Sequence, residues 1–154
     1  MREAYAKTLE NFVYATEASA PLPAPPVELK NGEMRLLWHV GLAVLCDQVS
    51  RNIFRGNPAA YRFDGLARRI AEAELRPIFD KLPVAIRMSV VLIYVHSEDI
   101  ADVAVVEDLL AKLRPALEPL SPFVWSSLTA IASNHRDRMK QFGRVCERNV
   151  ILER

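Results

Sequence analysis

Two adjoining stretches decide the fold of this chain, MRLLWHVGLAVLC at residues 34–46 and DQVSRNIFRG at residues 47–56. The first is apolar almost all the way round a helix, which is typical of a central, buried helix. The second is densely polar but keeps helical spacing, and Asp47 and Arg51 lie one turn apart, where they can pair. Charged groups at the end of a buried helix need hydrogen-bonding partners. The pattern therefore predicts a helix over 33–54 whose last turns carry a buried polar cluster.

Helical spacing continues on both sides of this central element. The run at 90–95 favours a strand locally, but no second strand-like run exists to pair with it, so we interpret it as a buried helix. The predicted helices are 2–18, 33–54, 59–82 with a split or kink at Pro77, a helix from Pro83 through 90–95, 97–113 with Ser97 as its N-cap, 122–142, and 145–152 as a short helix or irregular tail. The sequence predicts an all-α fold of six or seven helices in antiparallel helical hairpins.

The chain is expected to form a single all-α domain over residues 1–154, which is long enough to bury a core. Within it we predict an N-terminal helix in 1–20, a proline-rich connector at 21–32 and a helical core at 33–154. The connector contains PLPAPP at 21–26 and is interpreted as a stiff spacer, with a ligand for an SH3-type partner as the alternative.

Charge and hydropathy exclude several classes of protein. Twenty Lys and Arg residues against nineteen Asp and Glu give a net charge of +1, so no overall field attracts nucleic acid or an anionic membrane. The apolar runs are too short to cross a bilayer, and the first residues lack the hydrophobic core of a signal peptide. The two cysteines, Cys46 and Cys146, have no metal-type spacing. We expect a cytoplasmic protein with no cofactor, metal, nucleic-acid partner or membrane partner.

Three polar clusters supply the candidate binding residues. They are Asp47, Arg51, Asn52 and Arg55 in the first cluster, His96, Glu98 and Asp99 in the second, and His135, Arg144, Arg148 and Asn149 in the third. Residues 98–108 contain five acids and no base, whereas residues 135–154 contain six Lys or Arg and three acids, which predicts pairing between these segments. We predict that the clusters meet in a polar seam joining the helices that carry Asp47, His96 and Arg144.

These clusters resemble a bacterial family, the domain of unknown function 924. Its pattern is D-Q-F-P-R-N-I-F-R-G, then H-S-E-D, then a histidine near F-G-R-F-P-H-R-N. This chain has DQVSRNIFRG at 47–56, HSED at 96–99 and FGRVCERN at 142–149, so it departs from the pattern at F-P and at F-P-H. The resemblance covers residues 47–152 and implies an all-helical, tetratricopeptide-like fold with no established activity.

The clusters are open to three interpretations. They could cap helices and hold helix ends together, which is a common role of buried polar networks. They could line a groove that binds a protein, a peptide or a small anionic ligand through arginine and asparagine. They could also form a hydrolase-like or metal-assisted site using His96 or His135 with acidic partners. No catalytic motif occurs, so the sequence favours a binding or interaction module over an enzyme. Homo-oligomerisation stays open, and Arg68, Arg69, Arg136 and Arg138 are interpreted as solvated helix faces.

Overall fold

The computed structural model describes residues 2–17, 19–29 and 31–153. Met1, Ala18, Lys30 and Arg154, which fall within the predicted N-terminal helix, connector and core, lie outside the described residues. The chain divides into two compact units, Met1–Pro77 and Ile78–Arg154. Each unit is described by itself below.

The first unit is built around the predicted central helix. Its elements are α1 (Arg2–Glu10), a 3-10 turn (Val13–Thr16), α2 (Gly32–Val44), a π turn (Leu45–Val49), α3 (Ser50–Ile53), a 3-10 turn (Pro58–Tyr61), α4 (Asp64–Ile70) and a second π turn (Ala71–Leu75). Helix α2, the first π turn and α3 are continuous, so they form the single helix predicted over 33–54. Its start is capped by Asn31, whose Oδ1 accepts a hydrogen bond from the Glu33 backbone at 2.8 Å.

The N-terminal helix is shorter than predicted. Helix α1 ends at Glu10, and the chain then forms a turn and the separate 3-10 segment. Within α1, the side chain of Leu9 is buried and that of Tyr5 is exposed. Arg69, which was interpreted as part of a solvated face, instead donates to the carbonyl oxygens of Ala15, Glu17 and Ala20. The solvated-face interpretation was wrong for Arg69, because a guanidinium with five donors satisfies carbonyls that a short helix leaves unpaired.

The predicted helix over 59–82 is broken into shorter pieces. After α4 and the second π turn, a 3-10 segment spans Arg76–Lys81, and Ile78 within it has non-helical dihedral angles. This distortion directly follows Pro77, which cannot donate a backbone hydrogen bond. The predicted kink at Pro77 is therefore present, but the surrounding segment is not one continuous α-helix.

The second unit consists mainly of three long helices. Its elements are α5 (Val84–Val95), α6 (Ala101–Leu117), α7 (Pro122–Phe142), a 3-10 turn (Cys146–Arg148) and α8 (Asn149–Leu152). Helix α6 packs against both α5 and α7. Buried residues from all three helices form the core of this unit: Val90, Val91, Tyr94, Val106, Leu109, Leu113, Leu128 and Met139. The strand-like run at 90–95 is helical, because burial on several sides selects the same residues as a strand would.

The ends of α7 match the sequence signals, whereas the start of α6 does not. Ser121 caps α7, Pro122 follows it, and Gly143 ends the helix with a φ of 67°. Helix α6 begins at Ala101 and extends to Leu117. Ser97 was therefore wrongly predicted as its N-cap. The Ser97 hydroxyl instead accepts from the Asp99 backbone at 3.1 Å, within the turn that precedes the helix.

The predicted all-α class with six or seven helices is confirmed. Counting α2, the π turn and α3 as one helix, the described part of the chain has seven helical elements and no strand. None of the helices among residues 2–17, 19–29 and 31–153 has the length and apolar character needed to cross a bilayer. The antiparallel hairpin arrangement stays a prediction.

Candidate functional site

One guanidinium organises the polar cluster of the first unit. Arg51 Nη1 lies 2.9 Å from Asp47 Oδ1 and donates to the Asp47 carbonyl oxygen at 2.7 Å. The same side chain donates to both carboxylate oxygens of Asp64, at 2.8 and 2.7 Å. The guanidinium carbon also lies 5.7 Å from the centre of the Tyr61 ring. A forked, partly desolvated arrangement of this kind fixes orientation as well as adding energy. The predicted Asp47–Arg51 pair is therefore present, and it belongs to a larger cluster that joins the end of the central helix to α4.

Asp64 is the member of this cluster that sequence reasoning missed. It lies thirteen positions after Arg51, beyond any helical spacing that a pattern search would test. One signal was present: Asp64 is the only acid between Asp47 and Glu72, a stretch that contains five arginines. A single acid in such a stretch is a natural partner for whichever arginine is buried.

Asn52 and Arg55 lie on the exposed side of the same cluster. The Asn52 side chain donates to the Gln48 carbonyl oxygen at 3.0 Å, and Arg55 Nη2 donates to Asn52 Oδ1 at 3.0 Å. Gln48 in turn donates to Asp47 Oδ2 at 3.0 Å. The predicted binding residues of the first motif thus bond chiefly to one another, which supports a structural role for them.

Cys46 lies behind this cluster and cannot serve as a nucleophile. Its side chain is fully buried, and the Ser50 hydroxyl one turn later donates to the Cys46 carbonyl oxygen at 2.5 Å. Burial, together with the nearby carboxylates of Asp47 and Asp64, raises the pKa of Cys46 to about 12. A thiol with so high a pKa stays protonated and unreactive at neutral pH.

The second and third motifs meet within the second unit. Arg148, which is buried, donates from Nη2 to the His96 carbonyl oxygen at 2.7 Å. Glu98 Oε1 accepts from the Val145 backbone at 2.9 Å, and His135 Nε2 lies 2.8 Å from the Ser97 carbonyl oxygen. Three separate contacts therefore tie the turn after α5 to α7 and the segment that follows it. The polar side chains of these motifs contact backbone atoms, which is how buried turns satisfy their carbonyls and amides.

The remaining predicted residues of this unit have different environments. Asp99 is exposed and accepts from the Ala101 backbone at 3.0 Å at the start of α6. Arg144 is exposed, and Asn149 has a buried Oδ1 with no hydrogen-bond partner among the described residues. The predicted pairing of the acidic and basic segments occurs between Arg136 and Glu107, 4.0 Å apart.

Asp47 lies in the first unit, whereas His96 and Arg144 lie in the second. The predicted seam joining all three stays a prediction. One polar network surrounds Arg51 in the first unit, and another surrounds Arg148 in the second.

A cleft of about 260 Å³ lies in the second unit, between α6 and α7. Most of its lining surface is apolar. The lining residues are the apolar Val103, Val106, Leu110 and Ala132 and the polar or charged Glu107, Thr129, Ser133, His135 and Arg136. Of the predicted site residues, His135 alone contributes to it. Apolar walls with a few convergent polar groups are typical of small-molecule sites.

His135 is the unusual residue of this cleft. It is 4% exposed, and its Nδ1 is buried with no hydrogen-bond partner in the part of the chain that the structure describes. Desolvation lowers the pKa of His135, and the positive charges of Arg148 and His96 act in the same direction, whereas the bond to Ser97 and the charge of Asp102 oppose it. The imidazole is therefore neutral at neutral pH.

The described residues contain no cluster of side chains suited to bind a metal ion. No group of three or more His, Cys, Asp or Glu side chains among residues 2–17, 19–29 and 31–153 is arranged to hold an ion.

The fold and these networks define an all-helical protein in which polar motifs join helix ends within each unit, with a small cleft in the second unit. The chain belongs to the family described as bacterial protein of unknown function, DUF924, which matches residues 3–154. The family match therefore extends well beyond the 47–152 over which the motifs resemble it. The chain is also similar to the solved structure of a protein of unknown function from Agrobacterium tumefaciens, with 28% identity and a TM-score of 0.62 over 99% of this chain and 72% of that one. A comparison with curated proteins finds no match.

Proposed function

We propose that this protein binds a small molecule in the cleft between α6 and α7, with His135 as the polar anchor. One observation carries the proposal: a histidine that lines the cleft is almost fully buried and keeps Nδ1 without a partner. The sequence predicted a binding module without a defined site, and the proposal assigns its binding to this cleft. It also replaces the arginine-rich seam as the site of binding, because Arg51 and Arg148 are engaged within the protein.

The energetic cost of the unpartnered atom supports this reading. Leaving a buried hydrogen-bonding group unsatisfied costs about 1–3 kcal/mol, and native structures contain few such groups. A ligand that donates to Nδ1 recovers this energy on binding. The apolar side chains of Val103, Val106, Leu110 and Ala132 add favourable burial around the same ligand.

The anchor is also held rigidly. Its Nε2 is bonded to the Ser97 carbonyl oxygen, and the turn containing Ser97 is fixed by the contacts from Glu98 to Val145 and from Arg148 to His96. The turn containing Ser97 and the segment containing Val145 and Arg148 thereby orient the imidazole, and neither lines the cleft. This assigns them a supporting role in binding.

General-base catalysis by His135 is a second candidate function. A neutral imidazole whose Nε2 proton is held by a carbonyl oxygen leaves Nδ1 free to accept a proton. Turnover of any ligand found in the cleft, lost in His135→Gln while Ala130→Leu on the exposed side of α7 retains it, would favour catalysis over binding alone.

A fragment screen on the full chain by ligand-observed NMR tests the binding proposal. Hits are then measured against Ala132→Leu, which fills the cleft with a larger side chain, and against Ala130→Leu on the exposed side of the same helix. We expect Ala132→Leu to weaken binding at least about tenfold through steric exclusion, which corresponds to about 1.4 kcal/mol, while Ala130→Leu leaves it unchanged. Hits that bind both variants equally would place the ligand elsewhere and refute the proposal.

A further inference from the structure

We propose that the cleft selects a neutral, largely apolar small molecule that carries a hydroxyl or N–H donor, and that it disfavours anions. This inference rests on the proposed function, because it specifies the chemistry of the ligand in the same cleft. It differs from the anionic ligand expected from the arginine-rich motifs. The inference follows from three features of the lining: the tautomer of His135, the engagement of Arg136 and the size of the cavity.

The hydrogen bond made by Nε2 determines what Nδ1 can do. Nε2 lies 2.8 Å from the carbonyl oxygen of Ser97, and a carbonyl oxygen can only accept, so Nε2 carries the proton. In a neutral imidazole the other nitrogen is then an acceptor. The group that satisfies Nδ1 of His135 must therefore donate a hydrogen. A carboxylate or another acceptor would face the lone pair and be repelled.

The charged groups of the lining disfavour an anion for a separate reason. Arg136 is the cationic side chain among the lining residues, and two carboxylates lie close to its guanidinium. Its Nη1 lies 4.0 Å from Glu107, its Nε lies 3.1 Å from Asp137, and its Nη2 donates to Ser133 at 2.9 Å. An anion would have to compete with two carboxylates for this guanidinium. The positive charge of the lining is therefore already balanced by the carboxylates of Glu107 and Asp137.

The size and wall chemistry indicate one small ring system. A cavity of about 150 Å³ accepts a benzene ring, and the cleft here measures about 260 Å³. The Nδ1 atom itself exposes less than 1 Å², so a donor reaches it only when the side chains around the ring move. A compact donor, such as a phenolic hydroxyl or an indole N–H, requires the smallest shift.

Three compounds with the same ring system test apolar shape, a hydrogen-bond donor and a negative charge separately. They are naphthalene, 2-naphthol and 2-naphthoate. Their affinities for the full chain are measured by NMR titration, with the histidine side-chain nitrogens observed through 15N labelling. We expect 2-naphthol to bind about three- to tenfold more tightly than naphthalene, as one neutral hydrogen bond provides, and 2-naphthoate to bind most weakly. Only 2-naphthol should shift the Nδ1 resonance of His135, and His39, a second buried histidine, provides the internal control.

Two variants complete the design. In His135→Phe the preference for 2-naphthol over naphthalene should disappear. In Glu107→Gln, at an exposed side chain that does not affect the core, one competing carboxylate is removed and 2-naphthoate binding should strengthen. The wild-type nitrogen shift keeps the test decisive even if His135→Phe fails to fold.

The outcomes separate the two proposals. If naphthalene and 2-naphthol bind equally, or if 2-naphthoate binds most tightly, the inferred ligand class is wrong while the cleft remains a binding site. If none of the three compounds binds and the fragment screen also finds nothing excluded by Ala132→Leu, both proposals are wrong.

Discussion

Replacing Arg51 with alanine should destabilise the protein strongly, because this side chain neutralises two carboxylates at once. Asp47 is 1% exposed and Asp64 is 17% exposed at the side chain. Arg51→Ala removes the cation that lies within 2.9 Å of both. Breaking a buried charge pair costs about 3–5 kcal/mol. Partial exposure of Asp64 allows water to reach that carboxylate, so we expect a loss of about 2–4 kcal/mol.

The loss is measured by urea denaturation and by thermal unfolding. For a chain of this length, each kcal/mol lowers the melting temperature by about 2–4 °C, so the variant should melt about 4–16 °C lower. Arg76→Ala is the matched control, because Arg76 pairs with Glu72 at 2.6 Å with the same i,i+4 spacing but on an exposed surface. We expect that control to lose less than about 0.5 kcal/mol.

A double-mutant cycle isolates the pair itself. Arg51→Ala combined with Asp64→Ala should cost less than the sum of the two single changes, with a coupling of about 1–3 kcal/mol, since the double variant no longer contains the desolvated Asp64 carboxylate. Equal losses for Arg51→Ala and Arg76→Ala, or additive effects in the cycle, would refute the reasoning. The Arg51 cluster would then contribute no more than an exposed pair, and a role in ligand binding would gain support.

Three further predictions concern glycine, histidine and cysteine. Gly143→Ala should lose about 1 kcal/mol of stability, because the φ of 67° at Gly143 is left-handed. Gly41→Ala should gain about 0.5–1 kcal/mol, because Gly41 lies within α2 and a Cβ added there would meet no neighbouring side chain within 4 Å. The lowered pKa of His135 means that the unfolded chain binds its proton more readily. Its contribution to stability is therefore fully present above about pH 6.5 and lost as the pH falls through the folded-state pKa. At pH 8, iodoacetamide should modify the half-buried Cys146 in the native protein and reach Cys46 only on unfolding.

Each of these has a direct check. Chemical denaturation of both glycine variants should show effects of opposite sign, and effects of the same sign would contradict the backbone argument. Stability measured from pH 8 to pH 5 should fall less steeply in His135→Phe than in the natural chain. Mass spectrometry should find one alkylated cysteine in the folded protein. Rapid modification of Cys46 would show that its thiol is not buried in solution.

The local features of the fold were predictable because they depend on neighbouring residues. The central helix, the buried run at 90–95 and the left-handed Gly143 all follow from spacing and backbone preference within a few turns. The errors have the same origin. Ser97 is a residue type that favours N-caps, but it lies within a turn. The helix over 59–82 was predicted to break at Pro77, without the π turn and the two 3-10 segments that also divide it.

Side-chain partners across the chain were less predictable. The pairing of Asp47 with Arg51 could be predicted, since both lie on one helix face. The pairing of Arg51 with Asp64 and the binding of three carbonyls by Arg69 could not. The cleft was also invisible, because Glu107 and Arg136 read as two charged positions on separate helices. Such contacts depend on how helices are oriented, and spacing along one helix carries no information about that.

The amino-acid sequence by itself determined an all-helical chain, the position of its central buried helix and the family to which its motifs belong. These properties follow from periodicity and local backbone preference, which act between residues a few positions apart. Only the tertiary structure decided that Arg51 serves two carboxylates and that His135 has one bonded and one unpartnered nitrogen beside a cleft. Those states depend on which groups meet after the helices pack, because burial and hydrogen bonding are properties of the assembled unit.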